Sequence, residues 1–178
     1  MMDAWMQRHF PGEHFDKDAQ VASRGRVHEV LLRALKDDKF FGRAFPKSTG
    51  PELFSLHYLQ NALDQSGLDS LSPEDVMATL NRFTASIICE ILQTLKSNED
   101  SFKVYVSGGG MHNPLIMSYL REHLPGFHIQ STSEKGIDPD AKEAILFALL
   151  ANECVAGNAE TFSNYFPNVS MGKISFPA

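Results

Sequence analysis

Cysteine and tryptophan are scarce in this 178-residue chain, at two and one. Two cysteines cannot build the disulfide framework of a small secreted domain. Cys89 and Cys154 both sit in apolar, helix-spaced stretches, so two buried thiols in a reducing compartment are expected. Positive charge is short as well: 16 Lys and Arg stand against 22 Asp and Glu, for a net charge of −6, with no local basic cluster. Nucleic acids and anionic membrane surfaces need a concentrated positive field, so neither is an expected partner. Long apolar runs are missing too, since the longest, Ala144 to Ala151, is far too short to cross a bilayer. Met1 to Phe10 carries Asp3, Gln7 and Arg8 where a signal peptide would be uninterrupted and apolar. What remains is 43% hydrophobic and 21% charged, a globular composition without repeats or low-complexity tracts. A single domain over residues 1–178 in the cytoplasm is expected.

The first part, residues 1–100, reads as mainly helical. Ala4, Met6 and Phe10 mark a short helix from Asp3, stopped by Pro11-Gly12. Val27, Val30, Leu31 and Ala34 recur at helical spacing and predict a helix over Arg26 to Leu35 with those four on one face. Phe40, Phe41 and Phe45 form an aromatic group ahead of the breaker Pro46-Lys47-Ser48-Thr49-Gly50, and Leu53, Leu56, Leu59 and Leu63 resume the pattern over Glu52 to Leu63. The clearest signature covers Pro73 to Lys96: Ser72 as N-cap, Pro73 at the first helical position, and Asp75 where a capping-box acid sits. Val76, Leu80, Phe83, Ile87, Ile91 and Leu95 then form a stripe that Ile88 and Leu92 widen, the pattern of a helix packed on a core. Ser97 to Asp100 is a polar joint.

Residues 101–178 change character. Lys103 to Ser107 alternates as a strand does, three glycines follow, and Asn113-Pro114 opens a helix to about His123. Phe127 to Ser131 is a second strand, Asp138 caps a helix over Pro139 to Ala156 with Gly157 as its stop, and Val169 to Phe176 is a candidate final strand. This β-Gly-α-β-α order predicts parallel strands joined by a crossover helix, and an α/β, helix-rich fold.

Chemistry has few places to live. Gly108, Gly109 and Gly110 bare the backbone between a strand and a helix N-terminus, an arrangement that suits either a nucleotide or a plain tight turn. Glu143 lies near Asp138 and Asp140 at the start of the last helix, where acids also simply complement the helix dipole. Lys47 and Thr49 flank a flexible turn able to grip a phosphate or sugar, or to be only a turn. The seven histidines show no spacing with acids or cysteines that a metal site needs, so no metal ligand is expected. Ser107 lacks the G-x-S-x-G context of a nucleophile, and the sequon Asn168-Val169-Ser170 has no role in a cytoplasmic protein.

Ser107-Gly108-Gly109-Gly110-Met111-His112-Asn113-Pro114-Leu115-Ile116-Met117 resembles the adenosine motif of the anhydro-N-acetylmuramic acid kinases. Asp3-Ala4-Trp5-Met6, Phe15-Asp16-Lys17-Asp18, Phe40-Phe41 and Pro46-Lys47-Ser48-Thr49-Gly50 agree with that family in the same order. So do Asp75-Val76-Met77-Ala78-Thr79-Leu80, Thr84-Ala85, Gly136-Ile137-Asp138, Glu143-Ala144 and Phe147-Ala148. The resemblance implies a sugar-kinase/actin/Hsp70-like fold of two ribonuclease-H-like lobes. This chain would supply part of the second lobe, with two or three strands and about six helices. It also implies a bacterial cell-wall recycling activity: opening of the 1,6-anhydro ring of anhydro-N-acetylmuramic acid by water, with ATP and Mg²⁺ phosphorylating O6. On this resemblance Gly108, Gly109, Gly110 and Asn113 contact the adenosine of ATP, and Glu143 faces the sugar.

The chain also departs from the family. The first lobe and the motif that carries the family's general-base Asp have no counterpart, and Phe162-Ser163-Asn164-Tyr165-Phe166 replaces an expected Thr-Gly-Ala. No catalytic residue is therefore assigned, and inactivity without an N-terminal half is expected, since phosphoryl transfer needs all its groups positioned together. A sheet this small leaves an edge and an apolar face open, which predicts a homo-oligomer or docking to an N-terminal kinase half. The alternative is a non-catalytic nucleotide-binding or oligomerisation module derived from that lobe.

Overall fold

Pro73–Leu95 forms the longest helix among the residues that this computed structural model describes, 1–68, 70–95 and 102–156. The Asp75 N–H donates to Ser72 Oγ at 3.1 Å, which completes the expected N-cap. In chain order the helices are α1 (Met2–His9), α2 (Glu29–Lys36), α3 (Leu56–Ser66), α4 (Pro73–Leu95), α5 (Pro114–His123) and α6 (Lys142–Ala156). Strand β1 (Phe102–Val106) precedes α5 and β2 (Phe127–Ser131) follows it, so that α5 is the crossover of a two-stranded parallel sheet. The fold is thus α/β and helix-rich, as expected of part of an actin-like lobe. The candidate strand Val169 to Phe176, Gly157 and the joint Ser97 to Asp100 lie outside the described residues.

Contacts divide the chain into two compact units: residues 1–104 with 110–129, and residues 105–109 with 130–178. The division runs through both strands, and each unit holds part of β1 and part of β2.

The core of the first unit gathers the apolar faces of α1 to α4, with Met6, Leu31, Leu35, Leu59, Met77 and Leu80 almost wholly buried. Phe40, Phe41, Phe54, Tyr58 and Phe83 pack largely edge to face, with ring centroids 5.3 to 6.1 Å apart. Tyr58 donates its hydroxyl proton to the Leu35 carbonyl. Burial, with Asp38 and Asp37 nearby, pushes that hydroxyl up to about 12. Cys89 is buried as expected and burial raises its thiol, whereas Cys154 is only half-buried.

Three helices start later than their periodicity predicts. Arg26 to His28 are extended because α4 holds them: Arg26 N–H donates to Asp75 Oδ1 at 2.7 Å and His28 N–H to Thr79 Oγ1 at 3.0 Å. With α2 beginning at Glu29, Leu31, Leu32 and Leu35 face the core and Val30 is 43% exposed, so the buried face is turned from the predicted one. Helix α3 starts at Leu56, where Ser55 Oγ accepts the Tyr58 N–H, and ends on Gly67 in the left-handed region. Helix α6 starts at Lys142 rather than Pro139, because Asp138 closes a turn on the Asp140 N–H at 2.9 Å. Helix α4 also buries less than its stripe predicts, since Ile91 is half-buried and Leu95 is 54% exposed.

Asp18 and Ala19 both take positive φ, 53° and 55°, which residues with a Cβ seldom do. Asp16 holds this turn by accepting the Val21 and Ala22 N–H groups on its two carboxylate oxygens, at 2.8 and 2.9 Å.

Candidate functional site

The loop after β1 depends on only one of its three glycines for backbone geometry. Gly108 sits at φ 77°, and its N–H donates to the Pro139 carbonyl at 3.0 Å within the second unit. Gly109 and Gly110 lie outside the left-handed range, and a Cβ on either would meet no atom within 4 Å. Neither backbone strain nor packing calls for glycine at these two positions. Glu143, four residues beyond Pro139, is exposed in the first turn of α6.

Asn113 belongs to the first unit and is the N-cap of α5. Its Oδ1 accepts the Ile116 N–H at 3.0 Å, with Pro114 at N1. That bond uses the side-chain carbonyl and leaves the amide nitrogen as the group able to meet a ligand. Gly110 precedes it in the 3-10 turn Gly109–His112. The chain therefore places Gly108, Gly109 and Glu143 in one unit and Gly110 and Asn113 in the other.

Lys47 is committed elsewhere. Its ammonium donates to the Phe40 and Phe41 carbonyls at 3.1 and 2.8 Å and lies about 5 Å from the Phe40 and Phe45 ring centroids. These contacts fasten the loop between α2 and α3 upon itself. Thr49 is exposed, so the two residues of the turn do not form one polar grip.

Asp75 was expected as a capping-box acid but not as the holder of a distant segment, and Asn81 was not singled out by motif. Asp75 accepts the Arg26 N–H and pairs with His28 Nε2 at 3.3 Å; the backbone bond chiefly, helped by His28, holds its carboxyl below the ordinary value. Asn81, one of the buried residues of α4, has no partner for its Nδ2. The sequence shows only an amide set among Val76, Leu80 and Phe83, with no sign that it would lack a partner. Among the described residues, no group of three or more His, Cys, Asp or Glu is arranged to hold a metal, and no helix is long and apolar enough to cross a membrane.

The family model described as anhydro-N-acetylmuramic acid kinase matches residues 1–165. The chain belongs to this family. Proteins named anhydro-N-acetylmuramic acid kinase from Pseudoalteromonas atlantica and Pseudoalteromonas translucida are 50% and 46% identical to it, each over 99% of this chain and 45% of the relative. One from Photobacterium profundum is 41% identical over 100% of this chain and 48% of the relative. The chain thus spans less than half the length of these anhydro-N-acetylmuramic acid kinases. Glu143 and the glycine loop lie inside the part matched to the family, whereas the end of the chain beyond residue 165 does not.

Proposed function

We propose that this chain is the C-terminal half of an ATP-dependent anhydro-N-acetylmuramic acid kinase of the cytoplasm, one that needs an N-terminal half to turn over. The observation that carries this reading is the pairing of 40–50% identity across nearly the whole chain with coverage of about 45% of the relatives. The glycine loop supports the nucleotide assignment. With Gly109 and Gly110 required by neither strain nor packing, close approach of a ligand to bare backbone accounts for them. Gly108, Gly109 and Gly110 would offer main-chain atoms to the adenosine, and the Asn113 amide nitrogen would donate to it. ATP would supply the phosphoryl group and Mg²⁺ would screen its charge; no residue of this chain is assigned to the metal.

Glu143, an exposed carboxylate, would accept hydrogen bonds from hydroxyls of the anhydro-amino sugar. In the reaction, water adds to the anomeric carbon, the bond from that carbon to O6 breaks, and O6 takes the phosphoryl group. The water must also lose a proton, and the base for that step is assigned to the N-terminal half. The exposed apolar side chains of α6 favour a covering partner, either that half or a second copy of this chain.

The test is ADP release from ATP and Mg²⁺ with anhydro-N-acetylmuramic acid, using this chain alone and mixed with the N-terminal half of the Pseudoalteromonas atlantica relative. Activity only on mixing supports the proposal, and Gly109→Val should then raise the KM for ATP. Activity from the chain alone overturns the need for a second half. Silence in both, with no complex by size exclusion, points to a non-catalytic nucleotide-binding or oligomerisation module.

A further inference from the structure

A cavity of about 260 Å³ opens in the first unit between residues 22–27, α4 and α5. Its floor is made of small residues, Ala22, Gly25, Ala78 and Ala85, so the helices leave room instead of closing the space with bulk. Gly25 is obligatory there, because a Cβ would fall 2.0 Å from the Glu74 carbonyl oxygen. None of the residues assigned above to ATP or sugar lines this cavity, and the inference does not rest on the kinase reading.

Two neighbours in its polar lining, Asn81 and Arg82, have hydrogen-bonding capacity left unused. Asn81 is 3% exposed, and its Nδ2 has no hydrogen-bond partner. A buried amide without a partner is costly, and an acceptor brought into the cavity offsets that cost. The neighbouring Arg82 guanidinium lies 4.4 Å from the Tyr119 ring centroid, and the same ring stacks on His123 at 3.8 Å. Stacking engages the face of a guanidinium and leaves its N–H edge available. Among the described residues Arg82 makes no hydrogen bond or ion pair. Glu122 lines the same cavity from α5; it lies 4.0 Å from His123 Nδ1 and is not paired with Arg82.

We propose that this cavity binds a small zwitterion of the free α-amino acid class. The ligand carboxylate is taken by Arg82 and the Asn81 amide, and its ammonium by Glu122. A positive side chain without an ion pair, set across one small cavity from a carboxylate whose contact to His123 Nδ1 is a long 4.0 Å, matches a ligand bearing both charges. A phosphate dianion would meet the Glu122 carboxylate.

The test titrates the ¹⁵N-labelled full chain with D- and L-alanine, and with acetate and ethylamine as half-ligands. At least one alanine enantiomer should shift the Asn81 side-chain amide and the Tyr119 backbone amide saturably. Acetate and ethylamine should bind about tenfold more weakly, as expected when one charged contact is lost. Glu122→Gln, on an exposed position of α5, should weaken alanine about tenfold and leave acetate unchanged, with the rest of the spectrum intact as the fold control. Arg82→Lys should weaken both alanine and acetate. The proposal is overturned if alanine produces no saturable shift at Asn81, if acetate binds as tightly as alanine, or if Glu122→Gln leaves alanine binding unaltered.

Discussion

Helices α4 and α6 are both long and apolar, yet their surroundings are opposite. Ten residues of α4 are buried, whereas none of α6 is, and Phe147 and Val155 stand 67% and 77% exposed. The contrast is one of pattern. Helix α4 carries its apolar residues as a stripe that α1, α2 and α5 cover. Helix α6 carries them in an unbroken run, Ala144 to Ala151, the form suited to a helix enclosed on several sides. Apolar content sets the demand for cover, and of these two helices the described residues meet it for α4 and not for α6. A member of a kinase family that spans less than half its relatives' length is where such an unmet demand is expected.

The comparison can be broken most sharply from the α4 side. Met77 is fully buried, so Met77→Ala should cost about 2–5 kcal/mol, read as a lowered midpoint in urea unfolding. A loss under 1 kcal/mol would mean that the α4 core is looser than its burial indicates.

A smaller effect should come from the α4 N-terminus. Asp75 has a carboxyl held below its ordinary value, so its stabilisation is complete above the unfolded-state value and fades as pH falls through the folded one. Asp75→Asn should cost about 1 kcal/mol at neutral pH, and the difference from the parent should close below about pH 4. A pH-independent difference would show that the ionised form is not what holds Arg26 and His28.

The smallest effect is expected on α6. Phe147→Ser should change the stability of the isolated chain by no more than about 0.5 kcal/mol, because it removes a side chain that touches solvent. The same change should impair assembly with an N-terminal half. Unaltered reconstitution would remove α6 from the docking surface.

The sequence made legible whatever is determined locally. Ser72-Pro73 and Asn113-Pro114 announce their helices because the capping bonds lie within three residues, and β1 and β2 follow from alternation. The start of α2 was hidden because its determinants, Asp75 and Thr79, lie 49 and 51 residues from the backbone they hold. At α6, a side-chain turn by Asp138 mimics an N-cap and displaces the start by three residues. Of the candidate site, the left-handed Gly108 and the Asn113 cap were legible, since both answer to local backbone geometry. Asn81 and Arg82 were not, because their lack of partners shows only when α5 is laid against α4.

The clasp around Lys47 has a consequence for surface chemistry. A nitrogen that donates to two carbonyls and lies against two aromatic rings is shielded from an acylating reagent. In mild amine labelling Lys47 should therefore lag behind the exposed Lys103, and the moment it catches up would time the opening of the loop that joins α2 to α3.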